Sequence, residues 1–355
     1  NTAAEQQNAV RFLTLNGDAS IGGVNRWDVR GAGGSGSFSG ALDLGGFTLS
    51  KTGTNKISIV DSLVLSNGNF VISNGTLAFT RSQVSGPGFI DLGTNVLQLE
   101  NFTAGYLDKP LLSSGGRLLV TGNAFTLGSA ITNLTGLTID NAIGLTLTNE
   151  FTGAGSLTKL GVGTLTFERP VGHTGATAIQ AGGVALGAGS SLAASTPITV
   201  GASATLDVTA LPTGLVLNSG QTLGGSGSVY GNITAGPGTG IVPGTSPGTL
   251  AISGNLGLDS VNSTAVTMSD ITWVKAYPAP SKNACSRSPL LRKTTSPATT
   301  VPTIIAAPIR IVSVSSFGLF STLTTAKRMA SGTIGTSAIA MFSRKGASAS
   351  SGSSS

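Results

Sequence analysis

A chain of 355 residues with 52 glycines, 5 % aromatic residues and 10 % charged residues departs from an ordinary globular domain, in which about 25 % of residues are charged. Its core has to be assembled from Leu, Val, Ile and Ala in many small contacts, which excludes a fold anchored on a few aromatic clusters. The formal charge of +6 is unevenly placed: residues 1–260 hold 10 basic and 13 acidic residues, residues 261–355 hold 10 and 1, so the body is slightly acidic and gives no electrostatic footing for nucleic acid.

The single cysteine, Cys285, excludes an intramolecular disulfide. No run of 18 apolar residues marks a transmembrane helix. The opening NTAAEQQNAV is polar, with no basic region followed by an apolar one, and does not read as a signal peptide. For an exported protein, the chain is then expected to be a mature or trimmed form.

Along the first 260 residues the apolar residues follow a period of two. Leu42 and Leu44, Phe47 and Leu49, Ile57 and Ile59, Leu63 and Leu65, Val71, Leu77 and Phe79, Leu145 and Leu147, Leu165 and Phe167 are spaced this way within short runs. Gly, Asn, Asp or Ser bounds each run. Such punctuated alternation predicts strands, and no stretch carries the helical i, i+3, i+4, i+7 pattern uninterrupted by glycine. Turns are predicted at Asn16-Gly17, Asn67-Gly68, Asn74-Gly75, Gly115-Gly116, Gly122-Asn123, Gly182-Gly183, Ser219-Gly220 and Gly224-Gly225, since Gly and Asn tolerate positive φ. Phrases recur at roughly 20–30 residues, the mark of a stacked-repeat architecture. A solenoid also accounts for aromatic scarcity and leaves only its two ends as open edges. The expected fold class is all-β, a right-handed parallel β-helix over residues 9–258 (domain 1–260), with a low-complexity basic tail.

Residues 153–187 carry the most specific phrase. Gly153, Gly155, Leu157, Lys159, Gly161, Gly163 and Leu165 are followed by Thr174, Gly175 and Thr177, then by Gly183 and Gly187. This resembles the passenger-associated transport repeat, also called the autotransporter-associated β-strand repeat. His173 takes a slot usually aromatic in that family, and Val184 replaces a Leu. Residues 38–54, with Leu42-Asp43-Leu44-Gly45-Gly46 and Leu49-Ser50-Lys51-Thr52-Gly53, look like a second, degenerate copy. Residues 188–258 resemble what commonly follows such repeats. The resemblance covers about two thirds of the chain and implies a β-helical passenger segment of an exported bacterial surface protein. It further implies a secreted or outer-membrane-associated location, an outer-membrane anchor elsewhere in the full gene product, and surface glycans or other surface proteins as partners.

At residue 260 the texture breaks. Glycine falls from 47 residues before it to 5 after it, acidic residues nearly vanish, and Ser, Thr, Pro and basic residues take over up to the terminal GASASSGSSS. Residues 261–355 are expected to be a disordered Ser/Thr/Pro-rich tail or linker. An out-of-frame continuation of the repeats is the alternative, and the coding DNA would separate the two.

No chemical motif survives its context. Gly244-Thr245-Ser246-Pro247-Gly248 matches a nucleophile elbow, but Pro247 has no N–H for the oxyanion hole. Ser156-Leu157-Thr158-Lys159 and Lys51-Thr52-Gly53 stand in strand-turn repeats and in reversed order relative to penicillin-binding enzymes. Gly31–Gly36 is followed by no helix that would present its N-terminus to a pyrophosphate. His173 is the only histidine, which leaves neither a zinc set nor a triad; an exposed or stacking residue is expected there. The Gly-Gly-x-Gly strings lack the Asp of calcium repeats. Two Thr-x-Thr copies, at Thr146 and Thr164, are too few for a flat ice-binding array. No catalytic, metal or cofactor residue is therefore assigned, and no cofactor is expected. The expected function is a structural or adhesin-like stalk, not an enzyme. The alternative is a polysaccharide hydrolase or lyase, which would need stacked coils to gather carboxylates that the sequence scatters.

Overall fold

The computed structural model describes residues 5–31, 39–65, 67–102, 107–244, 249–258, 266–268 and 303–304. Among these residues there is no helix, and almost every strand pairs in parallel with the equivalent strand one coil away. The protein is a β-solenoid. Each coil contributes a strand to a 14-stranded sheet and then to two lateral faces. The chain passes, for example, through Gly136–Asn141, Leu145–Leu147 and Phe151–Gly153 before Ser156–Leu160 returns to the long sheet. Gly136 then lies beside Ser156, Leu145 beside Leu165 and Phe151 beside Val171. One turn takes about 20 residues, the short end of the expected period. A longer coil places Trp27 beside Ile57.

Alternation works as expected at the level of burial. Strand after strand has a buried–partly exposed–buried pattern, as in Leu111–Ser113, Ile131–Asn133 and Leu145–Leu147. Inward residues form columns along the axis. Ile57, Leu77, Leu97, Leu118 and Ile139 stack in the long sheet. Leu49, Phe70, Ile90, Leu111, Ile131, Phe151 and Val171 stack on one lateral face. Leu145, Leu165, Val184, Leu206, Val229 and Ile252 stack on the other. Each fully buried aliphatic residue contributes about 1.5–3 kcal/mol relative to exposure. Aromatic pairs add edge-to-face contacts, with Phe70–Phe79 and Phe151–Phe167 centroids 5.4 and 5.6 Å apart.

The structure decides details that the period-two pattern leaves open and corrects one expected turn. Ser62 and Val64, not Leu63, face the core after Asp61, and in Asn69–Ile72 it is Phe70 and Ile72, not Val71, that are buried. Both runs carry apolar residues on both phases, so alternation alone leaves the inward parity open, and the preceding corner sets it. The corner before Ser62–Leu65 is turned by Asp61, and Arg81 and Asn101 turn it in the next two coils, with left-handed φ of 48°, 45° and 48°. Gly224-Gly225, expected as a turn, lies within the strand Thr222–Gly225, where a Cβ on Gly224 would run into the carbonyl of Val242 in the next coil. The long sheet also runs beyond residue 260. Val266–Met268 pairs in parallel with Gly240–Pro243, and Thr303–Ile304 adds an antiparallel edge. The rest of the tail lies outside the described residues.

Candidate functional site

The repeat phrase occupies consecutive corners and strands. Leu157 and Leu165 are inward and fully buried. Gly153, with φ of 114°, closes the strand Phe151–Gly153, and a Cβ on it would overlap the backbone carbonyl of Asn133. Gly155, Gly163 and Gly175 lie flat against backbone or side-chain atoms of the preceding coil, Gly183 against Thr205 and Gly187 against Glu168. Gly161 turns the chain after Lys159 with φ of 76°. These glycines let neighbouring coils pack closely.

Lys159 is fully buried and directed into the coil. Its Nζ donates to the carbonyls of Leu160 and Gly161, at 2.6 and 2.9 Å, and to that of Ala181 in the next coil at 3.3 Å. Lys51, in the degenerate copy, repeats this arrangement with Thr52, Gly53 and Asn74 at 2.8, 2.8 and 3.0 Å. The two lysines lie on different faces of the coil: Lys159 is in the long sheet and Lys51 in a lateral sheet. Leu-x-Lys-x-Gly is thus a local device that ties a turn to the next coil wherever it falls. Lys109 makes a third carbonyl cage from Gly68, Gly86 and Pro87. Burial pushes Lys51 and Lys159 down to about 8 and lowers Lys109. In the Ser-x-x-Lys string Ser156 is exposed, while the Lys159 ammonium donates inside to carbonyls.

A buried polar column runs along one corner. Ser113 lies beside Asn133 and Gly153 beside His173. Ser113 Oγ donates to the carbonyl of Gly136, and Asn133 Nδ2 to that of Ser156. His173 is completely buried, its ring edge-on to Phe151 at 5.2 Å. Of the two expected placements, stacking is therefore observed and exposure is not. His173 Nε2 is 2.9 Å from Thr177 Oγ1, which is 2.7 Å from Ser195 Oγ, which donates to the carbonyl of Gly175 at 2.8 Å. The proton order follows by elimination. The Ser195 proton is spent on Gly175, so Thr177 donates to Ser195 and His173 Nε2–H donates to Thr177. In its neutral form His173 is thereby the Nε2-protonated tautomer. Its Nδ1 is buried without a partner, and burial pushes the imidazole down to about 4. Gln221 extends the network to the next coil by donating to the carbonyls of Leu192 and Ser195.

Charged side chains are paired. Asp28, fully buried, binds Arg26 and Arg30 at 3.0 and 2.6 Å; Arg81 binds Asp61 at 2.7 Å; Lys56 approaches Glu100 at 3.7 Å; Arg117 pairs with Asp140. Among the described residues no three His, Cys, Asp or Glu converge. Most of the Gly31–Gly36 and Gly244–Gly248 strings lie outside the described residues. One lateral face is interrupted: its eight-stranded sheet ends at Val171–His173, followed only by the Pro170–Ser191 bridge, and a new sheet starts at Leu215–Leu217. The break opens a pocket of about 290 Å³ walled by Ser190, Leu192, Leu211, Pro212, Thr213 and Val216.

Lys109, Ser113, Asn133, Ser195 and Gln221 escaped the sequence reading because they come from segments without the repeat phrase. The available signal was a polar residue recurring about every 20 positions at an inward phase. No protein-family model, no curated protein and no solved structure matches the chain.

Proposed function

We propose that the chain is an extracellular structural segment, a passenger-type stalk of an exported bacterial surface protein. In this role it holds other segments away from the cell and meets surface glycans or proteins through its sides. The observation that carries this reading is the fate of its reactive side chains. Lys159 and Lys51 of the repeat phrase each donate to a carbonyl of the next coil, and His173 reaches Ser195 of the next coil through Thr177. Such expenditure suits a scaffold whose job is length and persistence, since each added coil contributes its own interface to the stack. The phrase Gly153–Gly187 supports the passenger assignment by its likeness to that repeat family. The test is to immobilise the full chain and probe it with an array of neutral and acidic glycans, alongside assays for release of reducing ends or unsaturated products. Retention of a glycan class without turnover fits an adhesive stalk. Turnover of any polysaccharide in the panel would replace the proposal with a carbohydrate-active enzyme.

A further inference from the structure

Three features coincide in the coil that contains His173. The lateral sheet ends there, at Val171–His173. The next coils are irregular: Ile198 pairs with Leu223, a spacing well above the usual turn, and the pocket of about 290 Å³ opens beside them. The third feature is the directed chain His173–Thr177–Ser195, which meets Gln221 at the carbonyl of Ser195; Gln221 and Asn218 in turn hold the pocket wall through the carbonyls of Leu192 and Ala193. The side chains that make this chain hold the irregular coils to the regular stack where strand pairing on that face lapses.

We propose that His173 is an acid-sensitive joint: protonation of its unpartnered Nδ1 loosens the coils from His173 to Gln221 and widens the break beside them, while the earlier coils stay closed. The added proton has no acceptor. The groups around the ring are Phe151 beside it, Gly153 on the preceding strand, Thr177 in the same coil, and Ser195 and Gln221 beyond it. None of these titrates. The nearest charged residues in sequence, Glu150, Glu168 and Arg169, are exposed. A cation at Nδ1 therefore has no carboxylate to pair with and stays charged only if water reaches it, which requires the coil to open. The unfolded histidine binds a proton more readily than the native one, so acidification favours the open form.

Hydrogen exchange of the full chain, corrected for intrinsic rates and followed from pH 7 to pH 4.5, tests the joint. The expected result is that the opening constant for amides between residues 173 and 221 rises by up to about tenfold per pH unit below about 6.5, with a much smaller change in the coils from Lys56 to Asn141. In His173→Gln, which removes the titrating ring and keeps an amide donor, this pH dependence disappears. An equal rise in His173→Gln, or a rise spread uniformly along the solenoid, overturns the proposal. The wild-type ring gives a second measurement that needs no variant. Its ¹⁵N shifts are expected to show a neutral Nε2-protonated tautomer down to about pH 5. Titration near 6.5 or an Nδ1-protonated ring overturns the proposal as well.

Discussion

The lysines of the repeat phrase show why a charged residue can be tolerated in an aliphatic column. Lys159 stands between Ile139 and Ile179 in the long sheet, yet its ammonium reaches three carbonyls at the corner. Lys159→Met keeps the stem and deletes the donor, leaving those carbonyls unsatisfied, and is expected to cost about 1–3 kcal/mol, read from the midpoint of urea unfolding. The pH dependence has a definite sign. Burial holds the native Lys51 and Lys159 near 8, below the unfolded value of about 10.4. The unfolded chain therefore binds more protons between those limits, and stability rises with pH across that window and is lost again as pH falls through about 8. The deficit of Lys159→Met relative to wild type is thus expected to be larger at pH 10 than at pH 7. A deficit that shrank with rising pH would contradict a buried, proton-poor lysine.

Elements in this chain are strands three to six residues long, and their corners decide more than their propensities. Gly153→Ala places a Cβ into the carbonyl of Asn133 at a φ that side chains avoid, and is expected to cost at least about 2 kcal/mol. Gly183→Ala sits on extended backbone, where the Cβ would meet Thr205 Oγ1 at 2.8 Å; that hydroxyl can rotate away, so the change is expected to stay within about 1 kcal/mol. Thermal melts of the two variants check the contrast. Leu42, Leu44, Leu145, Leu147, Leu165 and Phe167 were legible as inward residues because polar or small neighbours separate them, and all six are buried. Leu63 and Val71 were not, because each has apolar neighbours on both phases. The polar column was illegible for a related reason. Asn133 and Ser195 look like turn residues in isolation, and only the stacking of coils turns them into buried donors, Asn133 Nδ2 to the carbonyl of Ser156 and Ser195 Oγ to that of Gly175.

On the scale of the whole solenoid, stability is a sum over neighbouring coils. Phe151 packs in a column between Ile131 and Val171 and touches Phe167 and His173. Phe151→Ala is expected to cost about 3–5 kcal/mol, with the rise in hydrogen exchange confined to the coils holding those neighbours and little change near Leu77 or Leu97. A uniform loss of protection would mean that the stack melts as one unit. The sequence by itself determined that the chain is all-β, that its strands are short and aliphatic, and that glycine and asparagine turn them into a repeating coil, because the period-two pattern and the φ tolerance of turn residues are local properties. Only the tertiary structure decided which parity of an ambiguous run faces inward, where the ammonium of Lys159 goes, and which polar groups meet across coils. Those outcomes depend on the axial register between residues about 20 positions apart, and no local pattern encodes that register.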